Sequence, residues 1–151
     1  MLLATIDSFG YKLFLLLHIF AVIVAFAPAF VNPILSVRYK RDGGSIPGEL
    51  GAKLAKDSLQ VHGPALALAG LFGFGMIGMS DKVFEFSQSW VSIALLLWFL
   101  MLGIVFGLLI PAEKKAAAGD AVAESRVSMF GGMLHVLLLL MLIDMIWKPG
   151  F

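Results

Sequence analysis

Four long apolar runs, at 11–35, 61–79, 90–110 and 129–147, alternate with stretches that carry nearly all the charge. A bilayer hydrocarbon core of about 30 Å takes roughly 20 apolar residues at about 1.5 Å rise each, so every run predicts a membrane-crossing helix. The intervening stretches, 36–60, 80–89 and 111–128, are short, which makes successive helices antiparallel. The pattern therefore predicts an all-α polytopic membrane protein: one domain over 1–151, built as a four-transmembrane-helix antiparallel bundle.

Within the first run an apolar stretch is followed by Ala25-Phe26-Ala27, which has the small-residue look of a signal-peptide cleavage site. Asp7 and a single Lys precede it, however, and its basic residues come afterwards, so the run is expected to be a retained helix. Arg38, Lys40, Arg41, Lys53, Lys56, Lys114, Lys115 and Arg126 lie on one side of the bundle, and Lys12, Lys82 and Lys148 on the other. Cytoplasmic loops are enriched in Lys and Arg, so 36–60 and 111–128 are expected in the cytoplasm and both termini outside. Leu50, Leu54 and Leu59 share one side of the run from Gly48 to Leu59. That run reads either as a short interfacial helix or as an extension of the second helix beyond the membrane. The Ala-rich stretch from Glu113 to Ser128 is expected to be partly helical.

Composition agrees: 60% of residues are hydrophobic and 14% charged, with a mean hydropathy of +0.97, against about 45–50% and about 25% in soluble domains. With no Cys there is no disulfide framework, Cys zinc site or cysteine nucleophile, and 11 Lys and Arg are too few for nucleic acid. The expected partners are the lipid bilayer and a second copy of the chain or a larger membrane complex.

Helices in lipid associate through small residues that let backbones approach. Ala21, Ala25 and Ala29 in the first run, Ala65, Ala69 and Gly73 in the second, and Gly103 and Gly107 in the third are expected to face protein. Pro28, Pro33 and Pro64 are expected to distort their helices locally.

Polar groups at membrane depth are costly, so each is a functional candidate. At 100° per residue His18 shares a face with Ala21, Ala25, Ala29 and Asn32, and His62 with Ala65, Ala69 and Gly73; His135 follows Gly131 and Gly132. The plain reading is that each imidazole donates a ring hydrogen to a backbone carbonyl of a neighbouring helix. The sharper one is a His62–His135 pair, with His18 as a further candidate, holding haem b or a transition metal, which the sequence does not name. Asp144 lies near the outer end of the last run with Lys148 at i+4, so an interfacial ion pair is expected. The alternative is a ligand or ion path through Asn32 and Asp144, with His18 as the partner of Asp144. Neither paired carboxylates nor a Ser/His/Asp set at one depth is apparent, so no catalytic residue is assigned and an enzyme is not expected.

Leu16-Leu17-His18-Ile19, His62-Gly63-Pro64 with Ala69-Gly70, and the ending Ile143-Asp144-Met145-Ile146-Trp147-Lys148-Pro149 together resemble the bacterial integral membrane proteins of domain of unknown function 2269. The first helix also resembles that of the copper-resistance membrane protein CopD. The first resemblance covers nearly the whole chain. It implies four helices and a bacterial inner membrane, marks His18, Gly63, Pro64, Lys148 and Pro149, and brings no activity with it. The expected function is that of a small membrane protein acting as an accessory subunit or binding module. The rivals are a haem or metal redox protein and a small oligomeric transporter or channel.

Overall fold

The structure is a computed structural model in which residues 6–44 and 46–150 are described. Among them, four helices long and apolar enough to cross a membrane follow one another: α1 Phe9–Arg41, α2 Gly48–Gly78, α3 Ser89–Ala117 and α4 Ala121–Trp147. No strand occurs among the described residues. The fold is an all-α, four-helix membrane bundle.

The helices run well past the apolar stretches. Residues 48–60 extend α2 continuously below its span, so of the two readings of Gly48 to Leu59 the structure takes the extension. Likewise 111–117 belong to α3 and 121–128 to α4, leaving connections at 42–47, 79–88 and 118–120. Local chemistry sets these ends. Ser8 caps α1 by accepting from the Tyr11 N–H. Gly119 turns the chain at φ 94°, and the Asp120 carboxylate accepts from the Val122 and Ala123 N–H groups at 2.9 and 3.0 Å. That cap starts α4 before its apolar face begins.

Proline shapes the interiors. Ser58–His62 in α2 and Val105–Leu109 in α3 are π turns, closed by Gly63 N–H to Ser58 O and Ile110 N–H to Val105 O. Each ends two residues before a proline, Pro64 or Pro111. A proline lacks the N–H for the carbonyl four residues back and crowds it, and a widened turn relieves both.

α1 lies mainly along α2, and α3 mainly along α4, while α2 and α3 meet closely at their charged ends. There a Cβ on Gly48 would come within 2.9 Å of the Ala117 carbonyl oxygen, and one on Gly51 within 3.3 Å of the Ala117 Cβ. All four helices contribute to a core of Phe26, Leu66, Met101, Ile104, Val105, Ile110, Leu134 and Leu138. The expected stripes on α1 and α2 do face protein: Ala21, Ala65 and Ala69 are buried, and Ala25 and Ala29 pack on the core. Gly103 and Gly107 do not, since nothing lies within 4 Å of a Cβ at either. The face of α3 that packs is the one carrying Ala94, Leu97, Met101, Ile104 and Val105.

Between α2 and α3 the chain turns on Ser80, which is fully buried. Its hydroxyl donates to the Ile77 carbonyl at 2.8 Å and accepts from the Phe84 N–H at 3.0 Å. Asp81 and Lys82 there take left-handed conformations, with φ of 51° and 65°.

Candidate functional site

Polar side chains inside the spans are placed at the seams between helices. The His18 Nδ1 lies 2.7 Å from the Ala69 carbonyl oxygen, joining α1 to α2. Returning the link, the His62 Nδ1 lies 2.7 Å from the Val24 carbonyl oxygen. A carbonyl only accepts, so both imidazoles carry a proton on Nδ1, and in the neutral ring the lone pair is left on Nε2. The target of His62 is not arbitrary. Val24 stands four residues before Pro28, so its carbonyl has no donor from its own helix, and the imidazole supplies the missing one. His18 lies against Gly73, where a Cβ would meet the imidazole at 3.7 Å, an ordinary van der Waals contact.

From the other side of α2, the Trp98 Nε1–H of α3 donates to the Leu66 carbonyl at 2.9 Å, and its ring meets Phe74 edge to face at 5.5 Å. Gly70 is what admits this indole, because a Cβ would overlap the Trp98 ring. The role of Trp98 was not legible in the sequence, where it is one more aromatic in an apolar run.

His135 departs from the expectation of a bond to a neighbouring helix. Its Nδ1 bonds the Gly131 carbonyl of its own helix at 2.8 Å, and its ring stands edge-on to Phe30 at 5.1 Å. His62 and His135 thus both pack against α1, at Val24 and Phe30. Among the described residues no three of His, Cys, Asp and Glu come together as a metal-holding group.

Asn32 is half-buried on α1, fourteen positions from His18, or about 21 Å along the axis. Asp144 belongs to the α3–α4 side. Its exposure is 5%, and both carboxylate oxygens are buried without a hydrogen-bond partner. None of the described hydrogen bonds or ion pairs links His18, Asn32 and Asp144. The expected Asp144–Lys148 ion pair is not formed either. Lys148 ends α4 in a left-handed conformation at φ 43°, with its N–H on the Asp144 carbonyl at 2.9 Å. This carries the ammonium over the ring of Phe84 at 4.4 Å, with Trp90 at 5.5 Å. A helical i+4 pair needs Lys148 to continue the helix, and it does not.

Beside Asp144 runs a groove of about 330 Å³, lined by Ile93 and Leu97 of α3, Leu140, Ile143, Asp144 and Trp147 of α4, and Pro149. At the opposite, charged end, a second carboxyl is buried. Glu113, expected in a loop, is 9% exposed, lies against Ser58 of the π turn of α2, and leaves Oε2 without a partner. Its only sequence signal is a Glu two residues after a proline that ends an apolar run.

Comparison with protein-family models, with curated proteins and with solved structures returned no match.

Proposed function

We propose that this chain is a small, non-enzymatic integral membrane protein that serves as an accessory subunit or binding module. We place it in a bacterial plasma membrane, with both termini outside. The observation that supports this reading is the use made of its intramembrane donors. His18, His62 and Trp98 each spend an N–H on a backbone carbonyl of a neighbouring helix, which builds a rigid scaffold. Within the spans the exposed large side chains, such as Phe20, Ile23, Leu71, Phe99 and Leu139, are apolar, as a surface against lipid or another membrane protein requires. Membership of the family of domain of unknown function 2269 belongs to the proposal and rests on His18, Gly63, Pro64, Lys148 and Pro149.

The intact chain, purified in mild detergent, is expected to be colourless, free of stoichiometric iron, copper or zinc, and associated with a larger membrane complex. The rival reading, haem b or a metal on His62 and His135, draws on the Nε2 lone pairs that the Nδ1 bonds leave in place. A Soret band that vanishes in His62→Ala or His135→Ala would overturn the scaffold reading in its favour. Flux in liposomes that falls in Asp144→Asn would overturn it in favour of an oligomeric transporter or channel.

A further inference from the structure

We infer that a groove between the charged ends of α2 and α3 binds the phosphate head group of an anionic phospholipid, held by Lys56 and Lys114. This goes beyond the scaffold reading and stands whether or not a partner complex is found. Gly48 and Gly51 let the extension of α2 come close to Ala117, and beside that contact lies a groove of about 310 Å³. Its lining is Ala52, Ala55, Lys56 and Leu59 of α2 with Lys114 and Ala117 of α3. Two ammonium groups from different helices thus border one hollow. Both lysines are exposed, so an anion entering the groove meets them directly. Neither forms an ion pair among the described residues, whereas Lys40 at the same end is held by Glu124. No acid lines the groove: Glu49 and Asp57 lie outside it, and Glu113 is buried against Ser58.

Depth identifies the anion. The apolar run of α2 starts at Val61 and that of α3 stops at Ile110. Lys56 and Lys114 stand outside these limits by about 7.5 and 6 Å, at ~1.5 Å of rise per residue. The polar layer of a leaflet reaches roughly 5–8 Å beyond the hydrocarbon, so both ammonium groups stand at the level of the lipid phosphates. A basic hollow between helices at that level suits a phosphate head group. The remaining lining agrees. Ala52, Ala55 and Ala117 make a small apolar floor, which offers no side-chain partner to a sugar or a base. Leu59, 40% exposed, continues that apolar surface toward the hydrocarbon, where the acyl chains of the same molecule lie. A choline lipid fits poorly, since its own cation would stand beside the two lysines.

The test is thermal unfolding of the full chain in mild detergent with added phosphatidylglycerol, and with phosphatidylcholine of the same acyl chains. Phosphatidylglycerol is expected to raise Tm by about 3 °C or more above the value in phosphatidylcholine. The double variant Lys56→Gln/Lys114→Gln should lose that difference. Lys53→Gln/Lys115→Gln removes the same charge from exposed positions of the same two helices outside the groove, and should keep it. Ala52→Trp fills the groove from an exposed position with both lysines intact, and should abolish the difference as well. Glycerol phosphate without acyl chains should leave Tm within about 1 °C. Equal midpoints in the two lipids, a difference that survives Lys56→Gln/Lys114→Gln or Ala52→Trp, or an equal loss in Lys53→Gln/Lys115→Gln overturns the proposal. A full shift with glycerol phosphate overturns it in favour of a site for a soluble phosphate.

Discussion

Pro28 opens a gap in the hydrogen bonding of α1 at the Val24 carbonyl, and His62 closes it from α2. An unmade hydrogen bond in an apolar setting is expensive, so His62→Ala is expected to destabilise the protein by about 1–3 kcal/mol. Pro28→Ala gives α1 its own N–H at that position and should rescue part of the loss. The double variant is then expected to be at least ~1 kcal/mol more stable than the sum of the single effects, as a double-mutant cycle of unfolding free energies would read. Strict additivity would mean that the imidazole does not serve that carbonyl. Asp144 illustrates the opposite situation, an acceptor with no donor. Asp144→Asn removes a formal charge from a buried site at constant shape, and should raise the unfolding midpoint rather than lower it. A lowered midpoint would mean that Asp144 has a stabilising partner.

At the scale of the helices, glycines separate two kinds of surface. A Cβ at Gly70 would overlap Trp98 and one at Gly75 would overlap Phe14, whereas Gly103 and Gly107 face open space. Gly70→Ala and Gly75→Ala are therefore expected to cost about 1–3 kcal/mol through overpacking, while Gly103→Ala and Gly107→Ala should be neutral or slightly stabilising. Unfolding midpoints of the four variants check this, and a loss at Gly107 matching that at Gly70 would point to a neighbour on the outer face of α3. The π turns act at the same scale. The one in α2 carries Ser58, which lies against Glu113 just beyond Pro111 in α3, so two proline-linked irregularities meet at a buried carboxyl. Glu113→Gln keeps that packing and removes the charge, and is expected to raise stability by about 1 kcal/mol in the same assay.

Across the whole molecule the charge is segregated. The connections at 42–47 and 118–120 lie at the end that carries most of the Lys and Arg, and Lys40 there pairs with Glu124 at 3.2 Å, tying α1 to α4. With no native Cys, a single cysteine can report its side of the membrane directly. Lys82→Cys, in the connection between α2 and α3, is expected to react with an impermeant maleimide on intact cells, and Gly119→Cys only after permeabilisation. The reverse pattern would invert the proposed orientation.

Helix number, the all-α class and the burial of the Ala21, Ala65 and Ala69 stripes were legible from the chain alone. Bilayer thickness and hydropathy act on each segment independently of its neighbours, and small residues repeat at helical spacing. The helical extensions at 48–60 and 121–128 were legible in part: Gly48 to Leu59 reads as either an interfacial helix or an extension and 113–128 as partly helical, and the choice and the exact ends follow from caps and propensity outside the apolar pattern that marks a span. Which carbonyl each histidine serves, that α3 packs through Met101 and Ile104 rather than Gly103 and Gly107, and that Lys148 leaves Asp144 for Phe84 were decided by tertiary structure. Each depends on the rotation of one helix against another or on how a helix ends. Those follow from packing summed over the whole bundle, which no local run of residues contains.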